Sequence, residues 1–334
     1  MVESKSFTPS CSVVICTRNR PAQLDQCLEA ASRLTYPKFD VLVVDNAPTD
    51  TRSRDVASRW GVRYVIEPEP GLSRARNRGA RACDSEILAY LDDDAVPEPE
   101  WLSELAQEFK EPLVMAVVGR VLAQSVETEA ERLCASIGCS DIGSQERRVV
   151  DRHVPSWFEI ANFGGIGIGA NMAFRRSAFD VWPGFHHRLD SGVLLDGGGE
   201  SHAFFSLIDR GYRVVYTPHA VVHHPLPRTM EYFRARYLKD MTDATAYITL
   251  LFFEEPRYGR KIIKYVVEAM RGTCPTWRAH AISPLPREVF PRWRVMLAYL
   301  SGPPLYLWSR LACGLWMGRD LDAWRIRDLQ KGGN

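Results

Sequence analysis

Three consecutive carboxylates, Asp92, Asp93 and Asp94, end the apolar run Ile87–Leu91 in the stretch ILAYLDDDAVPEPEWL. A short apolar run of this kind reads as a buried strand, and the stretch offers the acids no obvious cationic neighbour. Acids crowded at a strand end repel one another unless a cation lies between them. A hard divalent ion carrying a substrate diphosphate would relieve the repulsion, because Mg²⁺ typically takes one or two carboxylates together with phosphate oxygens. The competing reading is a solvated acidic turn, since aspartate is common in turns. Two further polar clusters follow apolar runs in the same manner: Thr17, Arg18, Asn19 and Arg20 after SVVIC, and Asp45 and Asn46 after FDVLVV.

The elements that must position these clusters alternate. Pro21 opens a helix with an apolar face of Leu24, Cys27, Leu28 and Ala31. The polar turn APTDT leads into a helix through Val56, Ala57 and Trp60. Val62–Ile66 reads as a third strand, and the Pro/Gly loop Glu67–Gly71 precedes a helix over Leu72–Ala82 that carries Arg74, Arg76, Arg78 and Arg81. After Pro97 and Pro99, Trp101, Leu102, Leu105 and Phe109 have helical spacing. Four strand–helix alternations predict βαβ units and a mostly parallel sheet. Ligands of such sheets lie at the carboxyl ends of the strands, near a switch in strand order, and all three polar clusters sit at such ends. Neither G-x-G-x-x-G nor G-x-x-x-x-G-K-[ST] follows a strand. Phosphates would therefore be held through a metal rather than a glycine loop, which points to nucleotide-sugar chemistry.

Composition sets the bounds. At roughly 150 residues per domain, 334 residues suggest one large domain or two. A net charge of +1 argues against bulk nucleic-acid binding. The opening MVESKSFTPS has no apolar stretch, so no secretory signal is expected. The 8 cysteines show no paired framework, and Cys11, Cys16 and Cys83 lie in or beside apolar runs, as free thiols of a reducing cytoplasm do. Cys134, Cys139 and His153 match no common zinc spacing.

The motifs SVVICTRNRP, VVDNAPTD, PGLSRARNRG, YLDDDAVPEPEWL, GIGANMAFRRSAF, DGGGES and GYRVVYTPHAVVHH, in that order, resemble the inverting family-2 glycosyltransferases of the GT-A fold. The resemblance runs from Cys11 to Pro225. It implies an α/β, Rossmann-like GT-A domain over residues 1–225, with a nucleotide-binding half at about 10–120 and an acceptor half at about 121–225. Residues 226–334 would form a mainly helical C-terminal extension.

The resemblance also implies roles. Thr17 with Arg18, Asp45, Asn77, Asp92 and Asp93 would bind the nucleoside diphosphate, Asp45 accepting from a base or ribose with charge-assisted strength. Asp94 would ligate Mn²⁺ or Mg²⁺ as the outer acid of a D-x-D motif, and Asp93 could replace either neighbour because the run does not fix the register. Gly169, Ala170 and Asn171 would lie against the donor sugar. Alternate residues of a helix do not share a face, so one of Arg74, Arg76 and Arg78 is expected to reach the ligand and the others water. The family usually reads Glu-Asp where this chain reads Glu200–Ser201. Inversion needs a base on the acceptor side, opposite the leaving group. Glu200 is the leading candidate, with Asp196 and His202 as alternatives. A histidine closing the metal site is expected at His224, with His223 as the alternative.

After Pro225 the character changes. Residues 257–294 hold nine Lys/Arg and two acids, and Val295–Ser309 is uncharged but contains Pro303 and Pro304. That run is too short and broken to span a bilayer, for which about 20 apolar residues are needed. A basic segment followed by Tyr299, Tyr306, Trp308 and Trp316 fits a surface lying on an anionic membrane, and equally a helical extension packed on the catalytic domain or on another subunit. Processive synthases of the family carry Q-x-x-R-W. Pro291-Arg292-Trp293 lacks the glutamine, so transfer of a single sugar is expected.

The expectation is a cytoplasmic enzyme, soluble or peripheral on the inner face of the membrane. It would move one sugar from a nucleoside-diphosphate donor, UDP-sugar favoured, to a hydroxyl of a glycan, glycolipid or small molecule, without nucleic acid. The alternatives are a non-catalytic nucleotide-sugar-binding scaffold, suggested by Ser201, and a sugar-1-phosphate nucleotidyltransferase. The latter would want a glycine-rich basic loop that CTRNRPAQL does not provide.

Overall fold

The computed structural model describes residues 7–138, 145–163, 165–271 and 289–316. Cys139, and the extension's residues 272–288 and 317–334, lie outside the described residues. The first half follows the expected rhythm: β1 (Cys11–Thr17), α1 (Pro21–Ala31), β2 (Phe39–Asn46), α2 (Arg52–Arg59), β3 (Arg63–Glu67), α3 (Leu72–Ala82) and β4 (Ile87–Asp92). Then come β5 (Val96–Pro97), α4 (Trp101–Glu108), β6 (Val114–Ala123), α5 (Glu129–Ser136), β7 (Arg148–Val150), α6 (Trp157–Asn162) and β8 (Asn171–Arg175). The sheet-forming part closes with α7 (Ala178–Val181), α8 (Gly199–Asp209) and β9 (Arg213–His224).

All the strands join one sheet, in the order β3-β2-β1-β4-β8-β6-β9-β5, with β7 on β9. The strands β3-β2-β1-β4 run parallel, as do β6 and β9, while β8 runs antiparallel between β4 and β6. Both halves of the molecule thus share a single sheet. Side chains alternate across a strand, and β1 shows the consequence. Val14 packs with α3, α6 and α8 on one face, whereas Val13 and Ile15 pack with α1, α2 and α4 on the other. Strands covered on both faces read as continuous apolar runs, which is why SVVIC and ILAYL carry no polar alternation. β1 lies between β2 and β4, so the strand order reverses at its carboxyl end. Cys16 pairs with Asp92 there, and Thr17 with Asp45.

β9 runs through Pro218 and His219 as one strand with a bulge. Gly119 of β6 faces Thr217, and the next residue, Arg120, faces Val221. The buried amide of Asn171 spans this irregularity. Its Nδ2 donates to the carbonyls of Arg120 (2.9 Å) and Ala220 (2.8 Å), and its Oδ1 accepts from Trp101 Nε1 (2.8 Å).

The extension continues as α9 (Met230–Glu254), a single 3₁₀ turn (Pro256–Tyr258), α10 (Gly259–Met270) and α11 (Arg292–Trp316). Ala246, Tyr247, Leu250, Ile262 and Tyr306 join a core cluster on one face of the sheet, so the extension packs on the sheet-forming part. Pro303 and Pro304 lie inside α11 rather than splitting it. Proline removes the bond to the carbonyl four residues back, and Thr245 Oγ1 of α9 donates to the Tyr299 carbonyl so orphaned, at 2.9 Å. Thr242 Oγ1 donates to Ala298 O at 3.1 Å. At this crossing Gly302 lies against Thr245 and the backbone of Ala246, with no room for a Cβ.

Candidate functional site

At the switch point the three acids divide by direction. Asp92 and Asp94 face His224, and Asp93 faces the opposite way. His224 Nε2 lies 3.2 Å from Asp94 Oδ1 and 3.9 Å from Asp92 Oδ2. One ligand atom from each of the three falls within 4.8 Å of the others. Two carboxylates and one imidazole, all half-buried, are a donor set that suits Mn²⁺ or Mg²⁺ and leaves positions for phosphate oxygens, so the residues fit the expected ion. His223, the neighbour on β9, points to Glu98 Oε1 at 3.2 Å, as strand alternation requires. Burial alone would lower the His224 pKa, but the hydrogen bond and charge of Asp94, with Asp92, raise it. Asp94 is correspondingly held below the usual carboxylate range: burial raises it, and His224 and Arg20 outweigh that. Burial dominates at Asp92 and raises it despite Arg76 and His224.

Cationic neighbours absent from the local sequence are supplied by folding. Arg20 Nη1 reaches Asp93 Oδ1 at 3.1 Å and Asp94 Oδ2 at 3.2 Å. Asp93 also accepts from Thr17 Oγ1 at 2.7 Å, and burial still pushes its carboxyl up to about 6 against those two partners. Asp93 and Thr17 thus brace each other. Arg18 is exposed. Asp45 is wholly buried; its Oδ2 accepts from Tyr64 at 2.8 Å, and among the described residues its Oδ1 has no hydrogen-bond partner. An orphaned buried acceptor at a strand end is open to a donor from a ligand.

Arg76 is the centre that the sequence reading did not single out. Its guanidinium is buried, 2.9 Å from Asp190 Oδ2 and 3.9 Å from Asp92 Oδ1, and donates to the Gly169 carbonyl at 3.3 Å. Burial would lower its pKa, but Asp190, Asp92 and Glu200 outweigh that and raise it. Asp190 in turn accepts from Ser73 Oγ at 2.7 Å and from the Gly199 N–H at 2.9 Å. The N–H at the start of α8 is thereby tied to α3, and Glu200 occupies the first turn of that helix. Gly198, at φ 89°, permits the turn, and a side chain there would meet the Tyr247 ring. Burial, then the charge of Asp190, raises the Glu200 carboxyl, and Arg76 opposes them. One signal could have found Arg76: Ser73, Arg76, Asn77 and Ala80 follow i, i+3, i+4, i+7 spacing and form one buried face. Asp190, at φ 77° in HHRLDSG, carries no sequence signal.

Other expected site residues have different partners. Asn77 donates to Phe185 O and accepts from Phe185 N, both at 2.8 Å, so its amide holds a chain turn. Asn171 is fully buried with its amide bonded at both ends; it fastens the sheet. Ala170 is buried beneath the apolar face. Asp196 Oδ2 pairs with Lys239 Nζ of α9 at 2.7 Å. His202 is pushed down to about 3, first by burial, and its ring lies 5.2 Å from that of His186, so it is neutral at physiological pH.

The geometry agrees with the comparisons to known proteins. The model of glycosyl transferase family 2 matches residues 12–182. The glycosyltransferase AglE of Haloferax volcanii is 29% identical over 231 residues, 66% of this chain and 68% of that protein. The glucosyl-dolichyl phosphate glucuronosyltransferase of the same organism is 26% identical, over 64% of this chain and 69% of its own length. The pre-mycofactocin glycosyltransferase of Mycobacterium tuberculosis is 27% identical, and the match spans only 42% of its length. In fold, the chain is similar to a mannosyltransferase from Pyrobaculum calidifontis solved with GDP-Man and Mn²⁺, with a TM-score of 0.56 and 20% identity over 93% of this chain and 88% of that one. With a GT-A sheet and a family model that covers half its length, this chain belongs to glycosyl transferase family 2 and is a glycosyltransferase.

Proposed function

We propose that the chain transfers a single sugar, with inversion, from a nucleoside-diphosphate donor to the hydroxyl of a glycan, lipid-linked or small-molecule acceptor. The reading is carried by one observation: Asp92 of the acidic cluster and the base-bearing helix α8 are linked through the Arg76–Asp190 pair. The donor diphosphate would lie at Asp92, Asp94 and His224, its nucleoside reaching Asp45 between the ends of β1 and β2. A bound Mn²⁺ or Mg²⁺ supplies charge neutralisation for the departing nucleoside diphosphate. Glu200 takes the acceptor proton as the hydroxyl oxygen attacks the anomeric carbon from the face opposite the diphosphate. Its raised carboxyl suits a base more than the neutral His202 or the Lys239-paired Asp196 do. Arg76 keeps charge balanced between the two acids it touches, and Asp190 orients α8. The described cysteines Cys11, Cys16, Cys27, Cys83 and Cys134 are free thiols, which suits the cytoplasm.

Calorimetric titration with UDP, GDP and dTDP in Mn²⁺, followed by turnover of the matching sugar nucleotides, tests the reading. UDP is expected to bind most tightly, with binding lost on chelation. A chain that binds no nucleoside diphosphate under these conditions would sink it.

A further inference from the structure

The outer face of α11 is apolar where a surface helix is normally polar. Trp293, Met296, Leu300, Leu307, Trp308 and Leu311 are between 49% and 66% exposed. Their spacing repeats by three, four and seven residues, so they form one row along the helix. The opposite face buries Ala298, Tyr306 and Ser309. Isolated exposed apolar side chains are ordinary, but a contiguous row marks an interaction surface. At the end of α9 two further rings are exposed, on the side of α11 that Tyr306 occupies. Phe253, 50% exposed, stacks on Tyr306 at 5.7 Å, and Phe252 lies 5.6 Å from Phe253 and beside Gly259 at the start of α10.

Charge selects the occupant. Arg292, Arg294 and Arg310 of α11 are exposed beside the row, and α11 carries no acid. Arg294 lies over the Trp293 ring at 5.2 Å. A second copy of the chain docking by a twofold axis would set this basic rim against itself. An anionic lipid surface would accept both features, the apolar row entering the acyl boundary and the cations meeting phosphates. Among the described residues no helix is long and apolar enough to cross a membrane. A helix the length of α11, about 37 Å, can lie in the plane of the interface.

We propose that the protein docks on anionic bilayers through the outer face of α11, with Arg292, Arg294 and Arg310 of the same helix supplying the basic rim. This face stands one helix away from the acceptor side of the site. α9 meets α11 through Thr242 and Thr245, and meets the loop before Glu200 through Tyr247 at Gly198 and Lys239 at Asp196.

Vesicle flotation of the full chain tests the docking without turnover, so its outcome is separate from that of the sugar-transfer reading. Wild type is expected to float with phosphatidylcholine–phosphatidylglycerol vesicles, and more weakly with phosphatidylcholine alone or in high salt. L300E/W308E should weaken this binding on the order of 100-fold, and the uncharged W293S/L297S at the other end at least about tenfold, by the apolar burial lost. All four positions are exposed, so melting temperature and nucleotide affinity should hold; if one variant misfolds, the other decides. Two outcomes overturn the proposal: vesicle binding that survives both pairs of substitutions, or a wild-type chain that ignores both vesicle types. Light scattering then shows whether the row instead joins two copies.

Discussion

At the scale of single residues, the proposed roles separate holding the donor from activating the acceptor, and the two should respond to different substitutions. Glu200→Gln removes the proposed base while keeping the shape of the first turn of α8. Transfer is expected to fall on the order of 100- to 10,000-fold, with nucleoside diphosphate affinity unchanged by calorimetry. Because burial and Asp190 raise the Glu200 carboxyl, the base is lost by protonation earlier than an ordinary glutamate would be. The kcat/KM of the wild type should therefore decline as pH falls through that raised value, and the residual rate of E200Q should lack that acid limb. His224→Ala acts on the other half. It leaves Asp92 and Asp94 without their imidazole, and Mn²⁺-dependent nucleotide affinity should drop at least roughly tenfold. An unchanged affinity would remove His224 from the metal centre.

At the scale of elements, the bulge in β9 matters more than any motif, because it resets the register between Thr217 and Val221 before the strand delivers His224 to the acids. Bulges re-aim side chains beside active sites, and this one is stapled by Asn171. Replacing Asn171 with Ala would orphan the Arg120 and Ala220 carbonyls and the Trp101 indole N–H, all of which its amide now satisfies. A buried group left unpaired costs about 1–3 kcal/mol. Chemical denaturation should show N171A to be less stable by at least about 3 kcal/mol, with metal affinity weakened in the fraction that folds. A loss confined to sugar transfer, with stability intact, would instead put Asn171 back against the donor.

At the scale of the whole molecule, the extension is wired to the loop that carries Asp190. Glu254, near the end of α9, accepts from Arg188 and from Tyr306 of α11 (3.1 Å), and lies 3.3 Å from His186 Nε2. Burial would raise its carboxyl, but His186 and Arg188 outweigh that and hold it at about 2. An unfolded glutamate titrates at about 4.3. The contribution to stability is therefore complete above that pH and is lost as pH falls toward 2. Thermal melts should show Glu254→Gln destabilised at neutral pH, with the gap to wild type narrowing below a pH of about 4.3 and closing only as pH nears the folded value of about 2. A gap that stays constant over that range would mean that these ion pairs add nothing to stability.

Much of this was legible in sequence because it is local. Apolar runs closed by polar clusters gave β1, β2 and β4 with their polar ends, the acidic triplet stood out by type, and Glu200 and His224 came only through the resemblance to the family. The resemblance to the family rested on the same segments. What the chain could not disclose was direction and distance. Three adjacent aspartates look equivalent in a string, yet the turn after β4 brings Asp93 to Thr17 and Asp92 and Asp94 to His224, with Arg20 between Asp93 and Asp94. Arg76 and Asp190 are 114 residues apart, and no periodicity links positions so distant. Pro303 and Pro304 looked like a break until α9 supplied the hydroxyl that α11 lacked. Local pattern fixes which segments become strands and helices, because backbone hydrogen bonding and side-chain alternation act over a few residues. The pairing of charges, the filling of orphaned carbonyls and the exposed row on α11 were decided only by tertiary packing, which sets which distant groups meet and which face is left to solvent.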